Sequence, residues 1–459
     1  MRCLGLGCRL VLAGAAAAVV FSLCSTAGAQ NVGGQAGVVV DADGVLRTKV
    51  YADPHGQLMR QRLAAARASL DREIGTRSDR RMVSLRQLEA AIAQRGGVPT
   101  DAMRYLAGLQ RIEYVFFYPD SNDIVIAGPA EGWVADLAGR VVGITTGRPV
   151  VQLQDLVVAL RAFPPGGRRT PLIGCSIDPT QEGLAAMQNF LRQIGSYAHP
   201  ADVQRTRYIV GGLRTSLGLQ EVSVNGVKPN THFAQVMVEA DYRMKLIGIG
   251  LERPPVKIVS YVERANPAAV SRNALQRWYF VPDYQCVRTT DDRLAMQLVG
   301  DGVKLVGEGE QVTAGGGRQA AGRLDRASQA FVTGFTEKYP ELAARSPVYA
   351  ELRNLIDLSI AAAFIQQEDY YGRAGWNMPL FGNEGKFAVE TYNTPKQVES
   401  AVNALWKGHR LMTPIGGGVT IQPTHAIASA NLLPDETGKV AQTRQQVKVT
   451  LPEGRWWWD

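Results

Sequence analysis

The sequence predicts an α/β (α+β) protein of several domains, with mixed sheets and several amphipathic helices. Three observations carry this. Runs dense in Val, Ile, Phe and Tyr alternate with stretches whose apolar residues recur every three to four positions. Gly- and Pro-rich breaks separate them. A chain of 459 residues, at roughly 100–200 residues per domain, leaves room for two to four cores.

Met1 to Ala29 has the form of a secretory leader. Arg2 and Arg9 precede an apolar run from Leu10 to Cys24, and Ala27-Gly28-Ala29 supplies the small residues of a cleavage site. The apolar run is shorter than the roughly 20 residues that a bilayer span needs. Retention as an anchor and lipidation at Cys24 are the rival outcomes. Cleavage predicts an exported, periplasmic or envelope-associated protein with no transmembrane segment in its mature chain. It also lowers the formal net charge from +8 to +6, because Arg2 and Arg9 leave.

Residues 30–110 read as an N-terminal hairpin and a basic helical arm. Asp43-Gly44 is a tight turn between Val38–Val40 and Val45-Leu46. Met59, Leu63, Ala66, Leu70 and Ile74 make one helical stripe. Ser84 and Gln87 open a second helix through Leu85, Leu88 and Ile92, and Gly96-Gly97 ends it. Asp101 is the expected cap of a third. Nine Arg, no Lys and four acids lie between Leu58 and Arg95, so the arm suits an acidic polymer or an envelope protein outside the cytoplasm and does not point to nucleic acid. The alternative is a pair of solvated helices.

Residues 111–310 read as a mixed α/β core. Strands are expected at Ile112–Tyr118, Ile124–Ala127 and Val141–Thr145. Helices are expected through Leu153–Leu160, after Thr180, after Asp202 and through Phe233–Ile247. Val222–Val227 looks like a compact hairpin, and Trp278–Val306 like an antiparallel meander. Residues 311–323 read as a Gly-rich linker or loop. From 324 to 459 a helical segment leads into a Gly/Pro-rich region and a tail of three Trp.

No motif identifies a reaction, and no cofactor is implied. Asp41–Gly44 opens like a calcium loop but lacks the later acids. Gly382–Phe387 lacks the first Gly and the Ser or Thr of a phosphate loop. The five histidines, His55, His199, His232, His409 and His425, stand at no metal spacing. Cys175 could act as a nucleophile only with a base and a low-pKa setting, and His199 or His232 could serve as that base. Glu368-Asp369 and Asp291-Asp292 are the acidic pairs that a hydrolase could use. Cys175 and Cys286 are the thiols left after the leader. They could form a disulfide in an oxidising compartment or remain two buried free thiols. Residues 141–161, and more faintly 221–236, follow the closing strand–turn–helix pattern of a PDZ-like module, which binds peptides by strand addition. Trp456, Trp457 and Trp458 are candidate binding residues. They could tuck into the chain's own groove, dock in a partner or sit at a membrane interface.

Tyr118-Pro119-Asp120, Asp123–Trp133, Thr146–Val150, Gly174–Thr180, Ala240–Lys245 and Glu351–Leu355 resemble an uncharacterised planctomycete family of exported proteins, domain of unknown function 1598. The resemblance runs from about residue 110 to at least 370. It implies export and no known activity, so it assigns no site residue. The expected function is therefore that of a non-catalytic binding or structural component of the envelope. The alternative is an envelope-polymer or peptide hydrolase using Cys175 or an acidic pair.

Overall fold

The computed structural model describes residues 34–195, 202–266, 274–313, 318–320, 325–403, 405–407, 410–412, 418–447, 451 and 454–459. The leader, His199, His409 and most of the Gly-rich stretch at 311–323 lie outside them. The fold is mixed α/β, with two large sheets and helices packed against them. No described helix is long and apolar enough to cross a membrane.

The larger sheet has nine strands among the described residues, in the order Gly34–Val40, Val45–Ala52, Gln397–Glu399, Leu219–Asn225, Ile173–Asp178, Gly418–Ile421, Ala274–Pro282, Val303–Val312 and Arg318–Ala320. The smaller has seven: Leu432–Pro434, Val287–Thr289, Ala295–Leu298, Tyr114–Tyr118, Asp123–Ala130, Ser78–Ser84 and Trp457–Trp458. The expected hairpin at Asp43-Gly44 is present, with Gly44 at φ +84°.

Two sequence expectations change at this level. Trp278–Val306 is not one meander. Ala274–Pro282 and Val303–Val312 pair in the larger sheet, while Val287–Thr289 and Ala295–Leu298 form a hairpin in the smaller one. Val222–Val227 is not a hairpin either. Leu219–Asn225 is one interior strand, with Gln397–Glu399 on one side and Ile173–Asp178 on the other. Both of its edges are occupied, so the fainter PDZ-like stretch offers no free edge for strand addition. In the stronger one, Val141–Gly143 pairs with Trp133–Ala135, and Val142 also bridges to Pro149.

Helices follow their caps closely. Ser84, Thr180 and Asp202 each accept a backbone N–H three residues on. Thr100, not Asp101, caps the short helix Asp101–Arg104. The helix Gln57–Ser69 buries none of its residues fully, so its apolar stripe is only half-covered. It lies beside strand Trp133–Ala135, where Arg62 donates to the Ala135 and Asp136 carbonyls.

Helix Pro347–Gln367 is buried along nearly its whole length, and its apolar residues belong to a core that joins side chains of both large sheets. The Trp tail closes the smaller sheet. Trp457 and Trp458 pair with Val83 and Met82, Trp456 and Trp457 are buried, and Trp458 is half-buried. The tail is thus docked on its own chain, one of the arrangements the sequence allowed. Its Trp456 and Trp457 faces are used in that packing and do not form an open docking surface. Arg81, fully buried, locks it with a bidentate bond to the Asp459 carboxylate at 2.8 and 3.0 Å and with a guanidinium stacked 4.6 Å from the Trp457 ring centroid.

Candidate functional site

The candidate site is a cavity of about 430 Å³ where two helix N-termini meet. Helix Leu153–Ala162 presents Gln152 and Gln154, and helix His232–Gly248 presents His232, Gln235, Val236 and Glu239. The latter four recur at spacings of three and four, so one helical face lines the wall. The turn before strand Val141–Gly143 adds Arg140. Arg104, Tyr105, Phe387, Glu390 and Tyr392 complete the polar and aromatic rim.

His232 is the centre of this geometry. Its Nδ1 lies 2.8 Å from Asp155 Oδ2, and the ring is only 15% exposed. Burial works against the charged imidazolium, but the Asp155 carboxylate outweighs it and lifts the pKa to about 9. His232 is therefore mainly cationic at neutral pH. On the other side, Nε2 stands 3.5 Å from the Gln152 amide nitrogen. A neutral ring could accept there, whereas a protonated ring requires the amide to turn its oxygen inward. The Gln154 amide donates to Gln152 Oε1 at 2.7 Å and to the Tyr392 hydroxyl at 3.0 Å. That hydroxyl donates to Glu390 Oε2 at 3.1 Å. Gln154 Oε1 is buried and has no partner among the described residues.

The other charges are paired within the wall and behind it. Arg140 forks between Glu239 and Glu351, which are both buried. Burial alone would lower the Arg140 pKa, but the two carboxylates hold its charge more firmly than in free arginine. Burial raises Glu351 despite Arg140. Arg243, one turn beyond Glu239, bonds to Glu239 and Glu252. Arg104 bonds to Glu390 at 2.8 Å. The result is a preformed polar cavity with few uncommitted charges.

The residues singled out in the sequence fall elsewhere. Cys175 and Cys286 are free, buried thiols, one within strand Ile173–Asp178 of the larger sheet and the other just before strand Val287–Thr289 of the smaller, so no disulfide joins them. Burial pushes the Cys175 thiol well above its ordinary value, with Asp241 adding to the effect, the reverse of what a nucleophile needs. Cys286 is pushed up to about 12, again by burial. Asp292 is occupied in a turn, accepting from the Thr290 hydroxyl and the Leu294 N–H. Asp369 caps helix Tyr370–Ala374. These acids hold local structure. Among the described residues, no cluster of three or more His, Cys, Asp or Glu could hold a metal ion.

Sequence reasoning missed His232, Asp155, Arg140, Glu239 and Glu351 as a group, because they come from four separate elements. One signal was present. Glu239, Asp241, Arg243 and Lys245 interrupt an otherwise apolar helix, and buried charges of that kind need partners.

Residues 175–261 match the model of a family described as a protein of unknown function (DUF1598). The match spans strand Ile173–Asp178 from Cys175 onward, the helix bearing His232 and Glu239, and ends at Tyr261. No curated protein matches the chain. No solved structure matches it either.

Proposed function

We propose that this chain is an exported, non-catalytic binding component of the cell envelope that holds a small polar ligand in the His232 cavity. The observation that carries this reading is the cavity itself. It is preformed, lies within the usual size range of ligand sites, and sets many fixed polar groups among apolar and aromatic residues. Its charges are neutralised internally, which favours an uncharged, hydroxyl- or amide-rich ligand over an ionic one. The unpartnered Gln154 Oε1 supplies an acceptor for a ligand O–H or N–H.

The leader supports export, and the resemblance to an exported planctomycete family agrees with an envelope location. The exposed arginines Arg60, Arg67, Arg72, Arg77 and Arg95 would let the same molecule rest against an acidic polymer or an acidic protein face.

A second reading rests on one observation. The imidazole is oriented by a carboxylate at Nδ1 and leaves Nε2 toward the cavity side, the arrangement of an oriented general base. A pKa of about 9 makes it a poor base at neutral pH, so binding is preferred.

The test is thermal unfolding of the full chain with neutral disaccharides and dipeptides as probes. A ligand at a hundred times its Kd stabilises the native state by about 2.7 kcal/mol. At least one probe class should raise Tm in the wild type, and Tyr392→Phe and Gln154→Leu should weaken that rise. No rise with either class, or equal rises in both variants, contradicts the reading. Cleavage of a probe that depends on His232 would instead favour the catalytic one.

A further inference from the structure

The outer strand of the larger sheet, Gly34–Val40, pairs with Val45–Ala52 along one edge and has no strand on its other edge among the described residues. The register shows which backbone groups that second edge offers. Asp41 donates its N–H to the Val45 carbonyl, so this pair closes the hairpin. Antiparallel pairs alternate between bonded and non-bonded ones. Val39 and Gly37 therefore bond to Arg47 and Lys49, while Ala36, Val38 and Val40 turn their N–H and C=O groups away from the hairpin. The Val40 carbonyl accepts from the Asn393 side-chain amide at 3.2 Å. The outward groups of Ala36 and Val38 have no partner among the described residues.

This edge stands at the His232 cavity. Val38 lines the cavity, and its side chain packs on the main core. Strand alternation puts the Gly37 position on the opposite face. A Cβ there would stand 3.4 Å from the Cβ of Ala138, another lining residue. Lining residues on both faces of one strand place its edge between them. The Val40 end agrees, because the Asn393 carbonyl accepts from the amide of Gln235, a third lining residue. A strand edge with free donors and acceptors is a template for one more strand.

We propose that the ligand of the cavity is an extended, uncharged peptide segment that adds as a strand to the free edge of Gly34–Val40. This rests on the binding reading of the cavity and names its ligand class. One ligand residue exchanges both backbone groups with Val38, continuing the antiparallel sense of the hairpin. Directly opposed residues share a face, so its side chain stands beside that of Val38, where Val38 meets the cavity. The unpartnered acceptor there, Gln154 Oε1, suits a hydroxyl or carboxamide side chain. A peptide supplies N–H and C=O groups at the repeat of the strand edge, which a sugar does not. The internally paired charges of the walls favour side chains without charge.

The test is isothermal titration of the full chain with N-acetylated, C-amidated tripeptides. Their outer residues are Val, and the middle residue is Ser, Thr, Asn or Gln. At least one should bind saturably. N-methylation of its middle amide removes the N–H given to the Val38 carbonyl and should weaken binding at least about tenfold. Val38→Pro removes the protein's own outward N–H and spares the hairpin bonds. It should weaken binding of the parent peptide by a similar factor. Equal binding of the N-methylated peptide, or of the parent peptide by folded Val38→Pro, overturns the proposal. If a disaccharide raises Tm and none of the tripeptides binds, the cavity reading stands and this one falls. If neither class binds, both fall. A wild-type dimer that Val38→Pro dissociates assigns the edge to a second copy of the chain and also overturns the proposal.

Discussion

His232 and Asp155 are 77 residues apart in sequence and 2.8 Å apart in space. That contact turns an isolated-looking histidine into a fixed cation. The folded-state pKa of about 9 stands above the ordinary 6.5, so the folded state favours the proton. The pair therefore stabilises fully below about pH 6.5, and the contribution is lost as pH rises through about 9. The shift corresponds to about 3 kcal/mol. Urea unfolding of the wild type should lose about that much stability between pH 6.5 and about 10, relative to His232→Gln. Parallel pH profiles for the two proteins would remove the imidazolium from the account. The histidine was visible in the sequence but its partner was not, because no local spacing connects the starts of two different helices.

The element that best shows the reach of sequence reasoning is the Trp tail. Three consecutive Trp are costly to leave in water, and docking on the parent chain is one of the arrangements the sequence allows. Their partner was hidden, since Arg81 sits in an arm that reads as a solvated basic helix. In fact Arg81 is in strand Ser78–Ser84, and the tail covers that strand's open edge. Its guanidinium is also held by the carbonyls of Glu73, Ile74, Thr76 and Ala107. Deleting residues 455–459 exposes the edge and removes the ion-pair partner. The loss should be at least about 4 kcal/mol, most of it from two buried indoles and a smaller part from the half-exposed ion pair. Asp459→Asn should lose only about 1 kcal/mol, because the carboxylate is 41% exposed. Chemical denaturation distinguishes the two variants, and equal stabilities would mean that the tail is not docked. Caps were more legible than this strand, since Ser84, Thr180 and Asp202 act on residues three positions away.

At the scale of the molecule, the mixed α/β class was legible and the assembly of the sheets was not. Gln397–Glu399 and Gly418–Ile421 are too short to show alternation, yet they insert into the interior of the larger sheet. The stretch 274–306 divides between both sheets although its sequence reads as one meander. The cavity depends on the same long-range assembly, since its walls come from residues between Val38 and Tyr392. The most direct test of the central claim is native mass spectrometry of the chain recovered from the cells that make it. The account predicts a small neutral polar molecule retained at one per chain, and its loss from the folded Tyr392→Phe and Gln154→Leu variants. Retention unchanged in both variants, or a wild-type chain that carries nothing even when an envelope digest is added in excess, would contradict it.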